Sequence, residues 1–202
     1  MRLRNIKNSK ELLLASDFTL QQFPYIITAN TVIEMGMGKA EMLVQLAEQN
    51  RHLEFIGIEK YPTVAYKSLK KAAAKELKNF KIINLDIKDL PGKLLGKTDL
   101  IWLTFSDPWP KKRHHKRRLT YKSFLKIYKE LLSENGVLKM KTDNDDLFAY
   151  SIESLKSFGA EIIHLTDDLH NSQWAVGNIM TGYEKKWTER GKKINYLAAK
   201  FY

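Results

Sequence analysis

A short β-branched run, Thr31-Val32-Ile33-Glu34-Met35, leads straight into Gly36-Met37-Gly38, and helical spacing of Met42, Leu43, Leu46 and Ala47 follows at once. Strand, glycine turn, helix is the opening of a βαβ unit, which commits the following strand to lie parallel to the first. The alternation continues. Residues 53–58, 80–85, 99–105, 137–142 and 161–165 read as further strands, and residues 179–187 as a last one. Helical spacing fills residues 62–77, 121–132 and 145–158, with Pro62 near one helix start and Asn135-Gly136 ending another before its strand. Strands alternating with helices of this length predict a doubly wound α/β fold. Residues 1–30 lack clear patterning and are read as a basic N-terminal arm, and residues 31–202 as one domain.

The chain has 202 residues, 44% of them hydrophobic, enough for one sizeable core. Its unbroken apolar runs reach about four residues, far below the roughly 18 that a membrane span needs. The apolar stretch near the N-terminus, Leu12 to Ala15, is too short for a secretory signal, so a cytoplasmic location is expected. There is no cysteine, which removes thiolate nucleophiles and Cys-based zinc sites. The five histidines show no metal-ligand spacing, and no metal is expected.

The formal charge of +11 makes a polyanion the expected partner. The tract Lys111-Lys112-Arg113-His114-His115-Lys116-Arg117-Arg118 carries six of the cations, leaving +5 for the rest of the chain. Three of the seven arginines lie here, and arginine is the residue that forks onto phosphate or stacks on a base.

In a doubly wound sheet, ligands bind beyond the carboxyl ends of the strands. Glu34, Glu59, Asp86 and Asp107 all fall at or near such ends. A dinucleotide fingerprint requires a third glycine three residues after Gly38, where Glu41 stands, so a dinucleotide is disfavoured. Glu59, at the end of the second strand, is placed to accept both hydroxyls of an adenosine ribose. Glu34 would repel phosphate but would suit a cation. Together they point to S-adenosylmethionine, with the backbone of Gly36 and Gly38 approaching it closely.

After the fourth strand comes Asp107-Pro108-Trp109-Pro110 and then the basic tract. This loop resembles the hallmark of the bacterial tRNA (guanine-N7-)-methyltransferase family. The likeness continues through Glu34-x-Gly36-x-Gly38, Gly57-Ile58-Glu59, Asp86, Thr142-Asp143 and Thr181-x-Tyr183-Glu184-x-Lys186-Trp187 with Gly191. It implies a class I methyltransferase fold, a mostly parallel seven-stranded sheet whose last strand is antiparallel. It implies that Glu34, Glu59, Asp86 and Asp107 contact S-adenosylmethionine, Asp107 being catalytic. Lys111, Asp143, Thr181, Gly182, Tyr183 and Glu184 would contact the substrate nucleotide, guanosine 46 of the tRNA variable loop. Arg113, His114, His115, Lys116, Arg117 and Arg118 would contact the RNA. No second type of subunit is implied, and monomer or homodimer is left open. Ala40 stands where the family commonly has a third glycine.

The chemistry suits these residues. Guanine N7 carries a lone pair and no proton, so its methylation is a displacement governed by placement and needs no strong base. A carboxylate such as Asp107 or Glu184 can oppose the positive charge that develops on the ring, and Glu184 could accept from guanine N1 and N2. Two other readings differ in class. One is an amino-methyltransferase on adenine or cytosine, whose loop Asp-Pro-Trp-Pro resembles but which would have proline in place of Trp109. The other is a non-catalytic RNA-binding module.

Overall fold

The computed structural model describes residues 6–202. Arg2 and Arg4, the cationic residues at the start of the expected basic arm, lie outside the described residues.

Seven strands form one sheet: β2 (Thr31–Met35), β3 (Glu54–Ile58), β4 (Phe80–Ile83), β6 (Thr98–Thr104), β7 (Leu132–Thr142), β8 (Ala160–Thr166) and β9 (Asn195–Phe201). Their spatial order is β4-β3-β2-β6-β7-β9-β8. All are parallel except β9, which runs antiparallel between β7 and β8. This is the class I methyltransferase topology. The order reverses between β2 and β6, so a crevice opens beyond their carboxyl ends.

Side chains alternate across the sheet. Ile33 and Met35 of β2 face α4 (Lys122–Leu131) and α5 (Asp145–Phe158), in a core with Leu125, Tyr128 and Leu155. Val32 points the other way, into a core with Leu43 and Ala47 of α2 (Glu41–Gln49), Ala65 and Ala72 of α3 (Pro62–Ala74) and Leu13 of α1 (Ser9–Leu14). Glu34 shares the Val32 side. An acidic side chain at the end of a buried strand is thereby driven inward, with 1% of it exposed.

Three expectations are corrected. The last strand is β9, not residues 179–187: Thr181 caps helix α6 (Gly182–Thr188), where its hydroxyl accepts from the Glu184 amide and the Glu184 carboxylate accepts from the Thr181 amide. This reciprocal cap is the Thr-x-x-Glu box, and it outweighs the alternating polarity that reads as a strand. Second, Asn135-Gly136 does not separate helix from strand. β7 begins at Leu132, directly after α4, and these two residues lie in a register shift opposite Thr98 and Leu100. A Cβ at Gly136 would stand 2.9 Å from the Thr98 carbonyl oxygen, so the bulge needs glycine. Third, residues 6–30, the described part of the expected arm, are not simply an arm. α1 packs on α3, and the Leu20 amide donates to the Ile82 carbonyl while the Ile82 amide donates to Phe18, extending the sheet beyond β4. β1 (Tyr25–Ile27) pairs with β5 (Leu94–Gly96) in a separate two-stranded sheet.

Candidate active site

At the crevice, a row of polar side chains crosses three neighbouring strands. Thr104 of β6 pairs in register with Lys141 of β7, and its hydroxyl donates to Glu34 of β2. One Glu34 oxygen is thus used. The other is buried without a partner among the described residues. Burial pushes the Glu34 carboxyl up to about 7, with the Thr104 bond and the nearby Lys141 charge pulling the other way. A buried carboxylate with one free oxygen is suited to a cationic ligand.

The glycine turn follows β2. Gly36, Gly38 and Ala40 all have positive φ, 75°, 57° and 51°. Such a φ costs a residue with a side chain about 1–2 kcal/mol, which is the physical reason for glycine at the Ala40 position in the resembling family. Gly57 of β3 lies under this turn: a Cβ there would stand 2.0 Å from Met37 Sδ. The Glu59 carboxylate ties the turn to the next helix, accepting from the Gly38 amide at 3.2 Å and the Tyr61 amide at 2.8 Å. Burial raises its pKa, and these amides hold it down in part. Asp86 caps a short 3₁₀ turn after β4, accepting from the Lys88 amide at 3.2 Å.

Two cavities flank this turn. The first, about 580 Å³, is lined by Glu59 and Asp86, by Ile58, Tyr61, Leu85 and Ile87, and by the cationic residues Lys60, Lys88, Lys116 and Arg117. That lining suits the ribose and base of a nucleoside. The second, about 650 Å³, is lined by Glu34, Asp143, Thr181, Gly182, Tyr183 and Lys186. Gly36, Gly38 and Asp107 border both. A buried carboxylate with a free oxygen beside a cavity bordered by Glu59 and Asp86 fits S-adenosylmethionine, which is both cationic and a nucleoside. Among the described residues no cluster of three or more His, Asp or Glu could hold a metal ion.

The loop after β6 divides its labour. Arg118, grouped in sequence with the RNA contacts, is turned inward: it donates to the Pro108 carbonyl at 2.9 Å and the Trp109 carbonyl at 3.3 Å, and lies 4.3 Å over the Tyr150 ring. It braces the Asp107-Pro108-Trp109-Pro110 turn, in which Trp109 has a φ of 43°. Arg117 lies 4.9 Å over Trp109, and His114 meets the same ring edge-on. His115 donates from Nδ1 to the Lys112 carbonyl within the loop, at 2.7 Å, and its ring packs on Tyr121. Lys111, Lys112, Arg113, Lys116 and Arg117 are exposed.

On the far wall, Tyr183 donates to Asp143 at 3.0 Å and packs on Phe105. Glu184, expected at the guanine edge, is instead fully buried. It accepts from Lys141 Nζ at 2.6 Å, His170 Nε2 and Asn178 Nδ2 at 2.9 Å each, and the Thr181 amide at 3.3 Å. Thr104, Lys141, His170 and Asn178 were not singled out in the sequence. The visible sign was Lys141, a charge between Met140 and Thr142 at the end of β7.

A family described as "Putative methyltransferase" matches residues 28–197. Among solved structures, the 16S rRNA methyltransferase KamB superposes with a TM-score of 0.62 at 12% identity, covering 85% of this chain and 87% of that one. An antibiotic-related methyltransferase superposes with a TM-score of 0.61 at 16% identity, covering 99% and 96%. These two likenesses concern the fold alone. A tRNA (guanine-N(7)-)-methyltransferase of Mycoplasmopsis pulmonis is 52% identical over 100% of this chain and 99% of its own. One of Mesomycoplasma hyopneumoniae is 51% identical over the whole of both chains. Identity at this level along the full length of both chains places this one in the tRNA (guanine-N7-)-methyltransferase family.

Proposed function

We propose that this chain methylates N7 of guanosine 46 in the variable loop of tRNA, in the cytoplasm and without a second type of subunit. The observation that carries the reading is Asp107, exposed and bordering both cavities, between the nucleoside-shaped pocket and the wall built by Asp143, Thr181 and Tyr183.

S-adenosylmethionine, when bound, supplies an electrophilic methyl group on a sulfonium. Glu59 and Asp86 would take the ribose and base end, and Glu34 the cationic end. The attacking N7 has its lone pair ready, so no residue has to remove a proton before the N–C bond forms and the C–S pair returns to sulfur. What the chain contributes is alignment, and effective concentration in such cases supplies on the order of 7–11 kcal/mol. The guanine ring becomes cationic, and Asp107 is placed to oppose that charge as it develops. Lys111, Lys112 and Arg113 face solvent beside this opening, where phosphates of a folded RNA can reach them.

The test is incubation of the protein with unmodified tRNA and methyl-labelled S-adenosylmethionine, then nucleoside analysis. Label in 7-methylguanosine, lost when guanosine 46 is replaced, is expected. Label in adenosine or cytidine would establish the amino-methyltransferase reading, and failure to bind the methyl donor would establish the binding-module reading.

A further inference from the structure

Lys141 has no exposed surface, and each of its three ammonium hydrogens has a taker: Asn178 Oδ1 at 2.9 Å, the Ile179 carbonyl at 2.8 Å and Glu184 at 2.6 Å. Asn178 and Ile179 belong to the segment that leads into α6, and Glu184 to the first turn of α6 itself. The same segment supplies Thr181, Gly182 and Tyr183 to the second cavity. It is held from its other side as well, since the Gly182 amide donates to Glu41 of α2 at 2.7 Å. Glu184 meanwhile accepts four hydrogen bonds, from Lys141, His170, Asn178 and Thr181. A carboxylate offers about four acceptor sites. None is left for a base edge.

A buried ion pair is poor grounds for stability, because well-packed apolar residues would serve as well or better. This one joins a sheet strand to the first turn of the short helix α6, and Lys141 also holds the irregular connection before it. Its three contacts define where that segment sits against β7. We propose that Lys141 is a positioning residue, and that Glu184 works as its counterpart and not as a reader of guanine: the pair fixes residues 178–183 so that Thr181, Gly182 and Tyr183 face the substrate. The assignment rests on the functional reading above, and its test is separable from it.

The experiment measures kcat/KM of the full-length protein on tRNA carrying guanosine or inosine at the target position, for the parent, Glu184→Gln, Lys141→Met, Lys141→Arg and the double variant Lys141→Met/Glu184→Met. Misplacing a substrate wall should lower kcat/KM by about 10- to 100-fold in either single variant, with Lys141→Arg retaining more than Lys141→Met. The double variant should lose no more than the worse single, because both residues act through one segment. The guanosine-to-inosine ratio should be unchanged in Glu184→Gln. The double variant strands no buried charge, so it reports even where Lys141→Met is too unstable to assay. A ratio falling toward one in Glu184→Gln, or losses that multiply in the double variant, would overturn the proposal. Absence of N7 methylation by the parent would overturn the functional reading instead.

Discussion

Glu34 shows what a single residue gives up for a binding site. Its unfolded carboxyl titrates near 4.5, and burial raises it to about 7 in the folded chain. The folded state therefore holds the proton more tightly, so stability declines as pH rises from about 4.5 to about 7 and then levels. The difference corresponds to roughly 3 kcal/mol. Ligand-free Glu34→Gln should accordingly melt above the parent at pH 8, with the gap closing near pH 4, as thermal denaturation at both pH values would show. The same variant should bind S-adenosylmethionine more weakly by calorimetry, since the amide offers no charge to a cation. In the parent, affinity for S-adenosylmethionine should fall as pH drops below about 7. Asp107 carries the opposite signature. It is exposed, so Asp107→Ala should leave the melting temperature nearly unchanged. Its turnover should fall by about 10²–10³ while tRNA binding persists, the pattern of a group that matters most in the transition state.

Among the elements, β3 governs the cofactor turn through the side chain it lacks. Gly57→Ala would drive Cβ to 2.0 Å from Met37 Sδ and 3.2 Å from Leu43 Cδ2. Met37 must then move, at a cost of about 1–3 kcal/mol. The expected result is a lower melting temperature together with weakened binding of the methyl donor. A loss of stability with donor affinity untouched would mean that the turn does not depend on Met37. Six of the seven sheet strands were legible, because β-branched runs ending at glycine or an acid signal a buried parallel strand directly. β9 was not: Asn195-Tyr196-Leu197-Ala198-Ala199-Lys200-Phe201 has two alanines and no β-branched residue, and it is a strand because both its neighbours demand one. The decoy at residues 179–187 alternates in polarity, yet Thr181 and Glu184 already spelled a helix cap. β1 and β5, three residues each, are too short to show any period. The rim carboxylates could be read because each falls at the end of a strand or within three residues after it. The Lys141 cluster could not, since its partners lie 37 to 43 residues away along an irregular connection.

Across the whole molecule, charge is sorted by task. Of the basic tract, Arg118 braces the loop while Lys112 and Arg113 are exposed and line neither cavity. Lys112→Ala/Arg113→Ala should therefore weaken tRNA binding and flatten its log-log salt dependence by about 1.4–1.8, each phosphate contact releasing roughly 0.7–0.9 counterion. Arg118→Ala should instead lower the melting temperature, having lost two carbonyl contacts that shape the turn. Filter binding across a salt series, with melting curves beside it, separates the two; an unaltered slope in the double variant would move the RNA contacts elsewhere. The reversed strand has a practical consequence. β9 enters at Asn195, level with Thr142 on the ligand side, and leaves at Phe201, level with Ala160 at the opposite end of the sheet. A surface linker or fluorophore attached at Tyr202 would thus stand a full strand length from the opening, so the immobilised protein should present its substrate side outward and turn over like the free one.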